Sequence, residues 1–415
     1  MKSHSDKKYL KGRYGFVIII FLYFSFSLLT YISPVVHFDE KECHFPNLNL
    51  FYNSDFCSAS TSPEYLSANT PLPYFLSAGL FHILNLEPSL KLARILNTLV
   101  SLCAFLLFTL LLKEKKPLIP CIILFFHPYF IKPGFLYFMS IYGLLFFLLF
   151  IYLIQKDKLI YAFCGGASLA LAVLSQQFYL IVIPFYLLFK LFSVKGRITL
   201  GLFIELSLFS IPFLPVIILF VVWNGLAHPN FQAWGLDFHI EYFTGILLVS
   251  GSVLFPYTIF KIKEIKRNLL ISVILISVIL SLFVFPIWSN TPIPGYISGL
   301  NFQAISRVES LNRFLGLLIK VFLISNGILG LILIVINKSK IDLFFLFMLL
   351  SFIIGFLISN MLSERHMLPL IVLLFLIVFK FLKDIKYPHL WAAWQALVGS
   401  VYFYYILFSY KLPGG

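Results

Sequence analysis

Apolar residues in this chain come in long unbroken runs, not in the alternation of a half-buried strand or the narrow stripe of a water-facing helix. The runs recur from Gly15 almost to the C-terminus and are separated by short basic clusters. A helix needs about 20 mostly apolar residues to cross a hydrocarbon core roughly 30 Å thick. Every backbone polar group must find its partner internally there, so runs of this kind cross as helices. The pattern predicts spans near 15–33, 90–112, 117–131, 135–154, 159–176, 178–194, 199–222, 241–260, 269–288, 313–336, 343–361, 367–382 and 389–410. The expected fold class is therefore all-α, a polytopic transmembrane helical bundle of about 13 spans forming a single domain over 1–415.

Two stretches need separate treatment. Leu72 to Leu86 is apolar but is opened by Pro71 and Pro73 and runs for only about 15 residues, too few to span, so it reads as interfacial or re-entrant. The long first outward loop then carries interfacial helices. Gly15 to Ser33 follows the basic segment KKYLKGR as a signal peptide would, but it lacks a small-residue cleavage site and is read as the first span.

Composition sharpens the picture. Hydrophobic residues make up 60% of the chain and charged residues 12%, against about 25% charged in soluble domains, which excludes a water-facing globule. The net charge of +14 comes from Lys and Arg clustered between apolar runs, which fits positive-inside sorting and not a nucleic-acid surface. If 72–86 does not span, most of the 31 basic residues collect on one side, with a cytoplasmic N-terminus. The acid-bearing loops 34–71, 223–240 and 289–312 then face outward, and chemistry is expected there. The five cysteines show no metal-ligand spacing, and Cys43 and Cys57 would pair only in an oxidising compartment.

The outward loops supply the candidate chemistry. Asp39 and Glu40 lie about six residues past the first span, where carboxylates need a partner or a function. Adjacent helical residues diverge by about 100°, so only one of the two can serve a given site, and a single general base is expected. His44 would share a helical face with Glu40, but no HExxH or comparable metal signature is present. Arg94, at the outer start of a span, and Arg365 with His366, in a short outer turn, suit a phosphate at headgroup level or ordinary interfacial anchoring. Gln176 and Gln177 fit either a donor contact or a tight turn, as do His127, Pro128 and Lys132. The 223–240 loop offers Trp223, Asn224, His228, Trp234, Asp237 and His239, whose rings can stack on sugars or anchor an interface.

Together these patches resemble the multi-spanning C-type glycosyltransferase superfamily. The closest likeness is to the dolichyl-phosphate-glucose-dependent alpha-1,2-glucosyltransferases. The resemblance rests on the DE..HFP run of Asp39 to Pro46, NTPLPYFL at Asn69 to Leu76 and RILN at Arg94 to Asn97. It continues through SQQ at Ser175 to Gln177, WNG at Trp223 to Gly225 and SERH at Ser363 to His366. It implies an inverting transfer of a sugar from a polyprenyl-phosphate donor to a glycan or glycolipid acceptor on the outer membrane face, and no cofactor is expected. Asp39 or Glu40 would be the base, and Arg94, Arg365 and His366 would hold the donor phosphate. His44, Gln176, Gln177, Trp223 and Asn224 would touch substrate. A bacterial cytoplasmic membrane is preferred, with the endoplasmic reticulum as the other host. The competing reading is a polytopic transporter or lipid flippase, for which ionisable residues should line the spans. Here Glu205 lies near a cytoplasmic end, and Lys320 sits about two turns inside a span.

Overall fold

The structure is a computed structural model that describes residues 3–112, 118–156, 158–196, 199–231, 237–286, 297–298, 300–359, 362–382, 385 and 387–409, with 3–16, 297–298 and 362–365 described by backbone alone. Among the described residues its regular structure is helical, apart from a two-residue parallel pairing of Ile297–Ser298 with Leu362–Ser363. Among the described residues, five helical stretches are long and apolar enough to cross a membrane. They are Leu90–Leu112, Leu200–Trp223, Glu241–Glu264, Arg313–Ile336 and Pro388–Phe408. Each falls on a run expected to span, and the chain is a helical membrane protein. The other expected spans form shorter apolar helices of 10–17 residues, apart from one broken pair.

That pair corrects the sequence reading. The expected span 117–131 is two helices, Leu118–Phe125 and Pro128–Phe135, bent by 72° at the break. Pro128 at the first helical turn has no N–H to continue the preceding ladder, so a new helix starts there in a new direction. His127 lies in the turn at this break and is 4% exposed.

Packing groups the chain into two compact units. The first comprises 1–179, 199–232 and 388–415. Its long Leu90–Leu112 helix packs on Ser3–Ile32, Pro128–Phe135 and Ser140–Ile154, while Pro388–Tyr404 packs on the broken pair. Over the end of these helices lie three short ones, Phe45–Asn53, Phe56–Thr61 and Leu72–Ile83. Leu72–Ile83 has 12 residues, roughly 18 Å of helix. Leu48, Phe51, Tyr65, Tyr74, Ala78 and Phe81 form a shared apolar layer among them.

The second unit comprises 180–198 and 233–387. At its centre the helices Glu241–Lys261 and Arg313–Ile336 cross with almost no space between them. A Cβ on Gly251 would overlap the carbonyl oxygen of Leu323, and one on Gly327 would overlap that of Leu247. Small residues let backbones approach closely enough for dense contact where lipid supplies no hydrophobic drive. Gly251→Val should therefore force the two helices apart. We expect a loss of about 1–3 kcal/mol, seen as a lower melting temperature of the detergent-solubilised protein, whereas Gly79→Val should change little because nothing lies within 4 Å of that position.

Candidate functional site

Glu40 opens a π-helical turn, Glu40–His44, that runs directly into the helix Phe45–Asn53. Such widened turns are rare and often occur at functional sites. Asp39 stands at the head of this turn and is half-buried, while Glu40 is fully buried. The two acids thus diverge as helical geometry requires.

Glu40 and Arg94 were expected in separate roles, as a possible base and as a phosphate ligand, but here they hold each other. Arg94 donates from Nε to Oε1 at 2.9 Å and from Nη2 to Oε2 at 2.6 Å, a two-pronged buried pair. Glu40 also accepts from the backbone N–H of Tyr137 at 2.9 Å and of His37 at 3.2 Å. Arg94 further donates to the carbonyls of Thr30 at 3.1 Å and Val35 at 2.7 Å, and its side chain is 2% exposed. Four of its five N–H donors are thereby committed within the fold. Burial pushes the Glu40 carboxyl upward, but the hydrogen bonds and charge of Arg94, with His37 and the Tyr137 N–H, outweigh it and hold the group below its ordinary range. Glu40 is therefore a structural anion and Arg94 its counter-ion.

His37 adds a tie to the far end of the chain. Its Nε2 donates to the Ile406 carbonyl at 2.9 Å, and Ser33 donates to the neighbouring Leu407 carbonyl at 2.8 Å. Both acceptors lie in a second π-helical turn, Tyr405–Ser409. Burial, reinforced by the charges of Lys132 and Arg94 against the pull of Glu40, lowers the His37 pKa to about 4, so the ring is neutral at neutral pH. Lys132 thus lies within electrostatic reach of this group, its ammonium 5.0 Å from the Phe138 ring centre.

The remaining patches knit into the same layer. His44 Nδ1 meets the Tyr74 hydroxyl at 2.8 Å, and that hydroxyl donates to Ser67 at 3.1 Å. Gln177 donates to the Ala68 carbonyl at 2.6 Å, and Gln176 reaches Asn69 Oδ1 at 3.4 Å. The Thr70 hydroxyl and the Leu72 N–H close the same seam onto the carbonyls of Val173 and Leu174. The two glutamines therefore pin the loop before Leu72, the tight-turn alternative, with Gln176 2% exposed. Asn97 donates to the carbonyls of Pro133 and Leu136. Trp223 is 1% exposed, donates to the Ser60 carbonyl at 2.9 Å and packs against Tyr65 and His228, so it offers no open ring face to a sugar. Asn224 is exposed and adopts φ 52° as the left-handed end of its helix, a position that asparagine tolerates.

Five of the six sequence patches thus meet in the first unit. The sixth belongs to the second, where His366 is half-buried in the short turn Glu364–Met367. The side chain of Arg365 lies outside the described residues, as does Trp234. Cys43 and Cys57 form no disulfide with each other. The sequence reading missed the Glu40–Arg94 bond and the tie between His37 and the last helix, because neither spacing nor residue type marks a partner 54 or 369 positions away. No known protein-family model matches the chain, and no curated protein matches it in sequence.

Proposed function

We propose that this protein is an inverting glycosyltransferase that moves a sugar from a polyprenyl-phosphate donor to a glycan or glycolipid hydroxyl on the outer membrane face. Asp39 is its general base. The observation that carries the reading is the division of labour in the acidic pair, with Glu40 sequestered by four hydrogen bonds and Asp39 left half-buried at the head of the same turn. Convergence of five dispersed patches on one layer supports it as well.

In the reaction the acceptor oxygen attacks the anomeric carbon, and the bond from that carbon to the phosphate oxygen breaks. Asp39 takes the hydroxyl proton, and the polyprenyl phosphate leaves as an anion. No acid is needed at the leaving group, because fixed positive charge can stabilise a departing phosphate. Lys132 is a partly accessible cation of this region. Arg94, neutralised by Glu40, is withdrawn from that role. The likeness to the alpha-1,2-glucosyltransferases makes glucose the first donor sugar to try.

The test is sugar transfer from a short-chain polyprenyl-phosphate sugar in membranes, with the wild type expected to turn over and the Asp39→Asn variant not. The reading also fixes topology, with the N-terminus and the 261–267 loop cytoplasmic and Asp39 outside. With the native cysteines replaced by serine, since Cys57 is exposed in the first loop, a cysteine at Lys263 should resist an impermeant thiol reagent on intact cells and react after permeabilisation. One at Glu64, which is exposed in the first loop, should react in both states. Labelling of the Lys263 variant from outside would invert the arrangement and remove Asp39 from the outer face.

A further inference from the structure

We infer that the second unit contains a binding site for a phosphate-bearing lipid, with Lys320 as the phosphate ligand and Glu309 as an internal anion that occupies the position until the lipid arrives. The inference takes its ligand class from the lipid-phosphate part of the reading above and does not depend on sugar transfer.

Lys320 lies seven residues into the apolar helix Arg313–Ile336, and its side chain is only 11% exposed. An ammonium at such a position is costly and by default marks a functional site. Its ion-pair partner is Glu309 at 2.5 Å, and its charge rests 4.0 Å from the centre of the Phe285 ring. Glu309 comes from a different element, the amphipathic helix Leu300–Leu311, and remains about one-third exposed. It reaches the lysine because Gly316 leaves room, since a Cβ there would overlap the Glu309 Cγ. Arg307 and Arg313 are near the pair in sequence and are exposed, so the segment 307–320 carries three cations and one carboxylate. Arg313 and Lys320 are two helical turns apart and share one face.

Further along the same helix the surface is wholly apolar. A groove of about 390 Å³ is lined by Ile328, Leu331 and Val335 of the Lys320 helix, by Ile276 and Leu280 of Arg267–Phe283, and by Phe243. It starts roughly 12 Å along the helix from Lys320, and Leu331 lies within about 20° of Lys320 around the axis. A cationic position with an apolar groove about 12 Å further along the same helix matches a lipid whose anionic head and long chain reach both, whereas a free phosphate would gain nothing from the groove.

The two partners respond oppositely to neutralisation if the carboxylate is a stand-in, and alike if the pair is only a structural clasp. The experiment measures lipid binding to the purified full-length protein by native mass spectrometry, in the Asp39→Asn background so that turnover plays no part. The probes are a short-chain polyprenyl phosphate, phosphatidylglycerol and phosphatidylcholine. Lys320→Gln should weaken binding of a phosphate-headed lipid about tenfold or more, and Glu309→Gln should strengthen it about tenfold. Leu331→Trp should weaken it by filling the groove. Preference for polyprenyl phosphate over phosphatidylglycerol would identify an isoprenoid lipid, and the reverse an ordinary anionic phospholipid. Weaker binding in Glu309→Gln, or equal retention of phosphatidylcholine, would overturn the assignment. Failure of sugar transfer would leave this measurement intact.

Discussion

Arg94→Met should leave little folded protein. The substitution keeps length and apolar bulk but strands the Glu40 carboxylate, which is fully buried, and the carbonyls of Thr30 and Val35. Removing one partner of a buried ion pair costs about 3–5 kcal/mol, a large part of the stability of most domains. Glu40→Leu should cost a similar amount, because it strands the guanidinium together with the N–H groups of His37 and Tyr137. The double variant Glu40→Gln/Arg94→Gln should recover part of the loss, since two neutral amides can still serve those four backbone groups. Glu40→Leu/Arg94→Met should recover less. Melting temperature and monodispersity in detergent provide the readout. A fully stable Arg94→Met protein would refute the counter-ion role.

The same region sets a pH limit. The Glu40 carboxyl is held below its ordinary range, so its contribution to stability is complete above the unfolded pKa and is lost as pH falls through the folded one. His37 is buried neutral with a pKa lowered from 6.5 to about 4, so the unfolded chain binds a proton in that window that the folded chain refuses. Both act in the same direction, and stability should fall on acidification from pH 6.5 towards 4.

Asp39→Asn should fold normally and lose activity. It preserves the shape of the side chain and removes its capacity to accept a proton, so turnover should fall by about 10² or more, the usual scale for a general base. Donor affinity should change little, because Asp39 is not assigned to the phosphate. The measurement is the initial rate of sugar transfer at matched protein levels, with melting temperature as the control. Wild-type turnover in Asp39→Asn would dismiss Asp39 as the base. The contrast with Arg94→Met is itself informative, because one variant loses rate at constant stability and the other loses the fold.

What the sequence disclosed follows the physics of each feature. The longest apolar runs were legible because the length of a run is a local property, and the five helical stretches long and apolar enough to cross a membrane fall where hydropathy places them. Divergence of Asp39 from Glu40 was legible from helical geometry, but not which acid faces inward, which depends on a guanidinium from another helix. The bend at His127 escaped because averaging over a run hides a change of direction, although Pro128 was its visible sign. For Trp223 and the glutamine pair the sequence leaves substrate contact and structural use open, because aromatic and amide groups at a membrane surface serve ligands and folds equally. Only the Ser60, Ala68 and Asn69 partners separate these uses.

The bonds from His37 and Ser33 to the carbonyls of Ile406 and Leu407 also order events in time. At a synthesis rate of about 5–20 residues per second, the 369 residues between His37 and Ile406 take roughly 20–70 s to emerge. Throughout that interval the loop that carries Asp39 exists without its final support. Completion of the site therefore coincides with insertion of the last helix, and a chain arrested before that point would hold the acidic pair in an unfinished setting open to quality-control proteases.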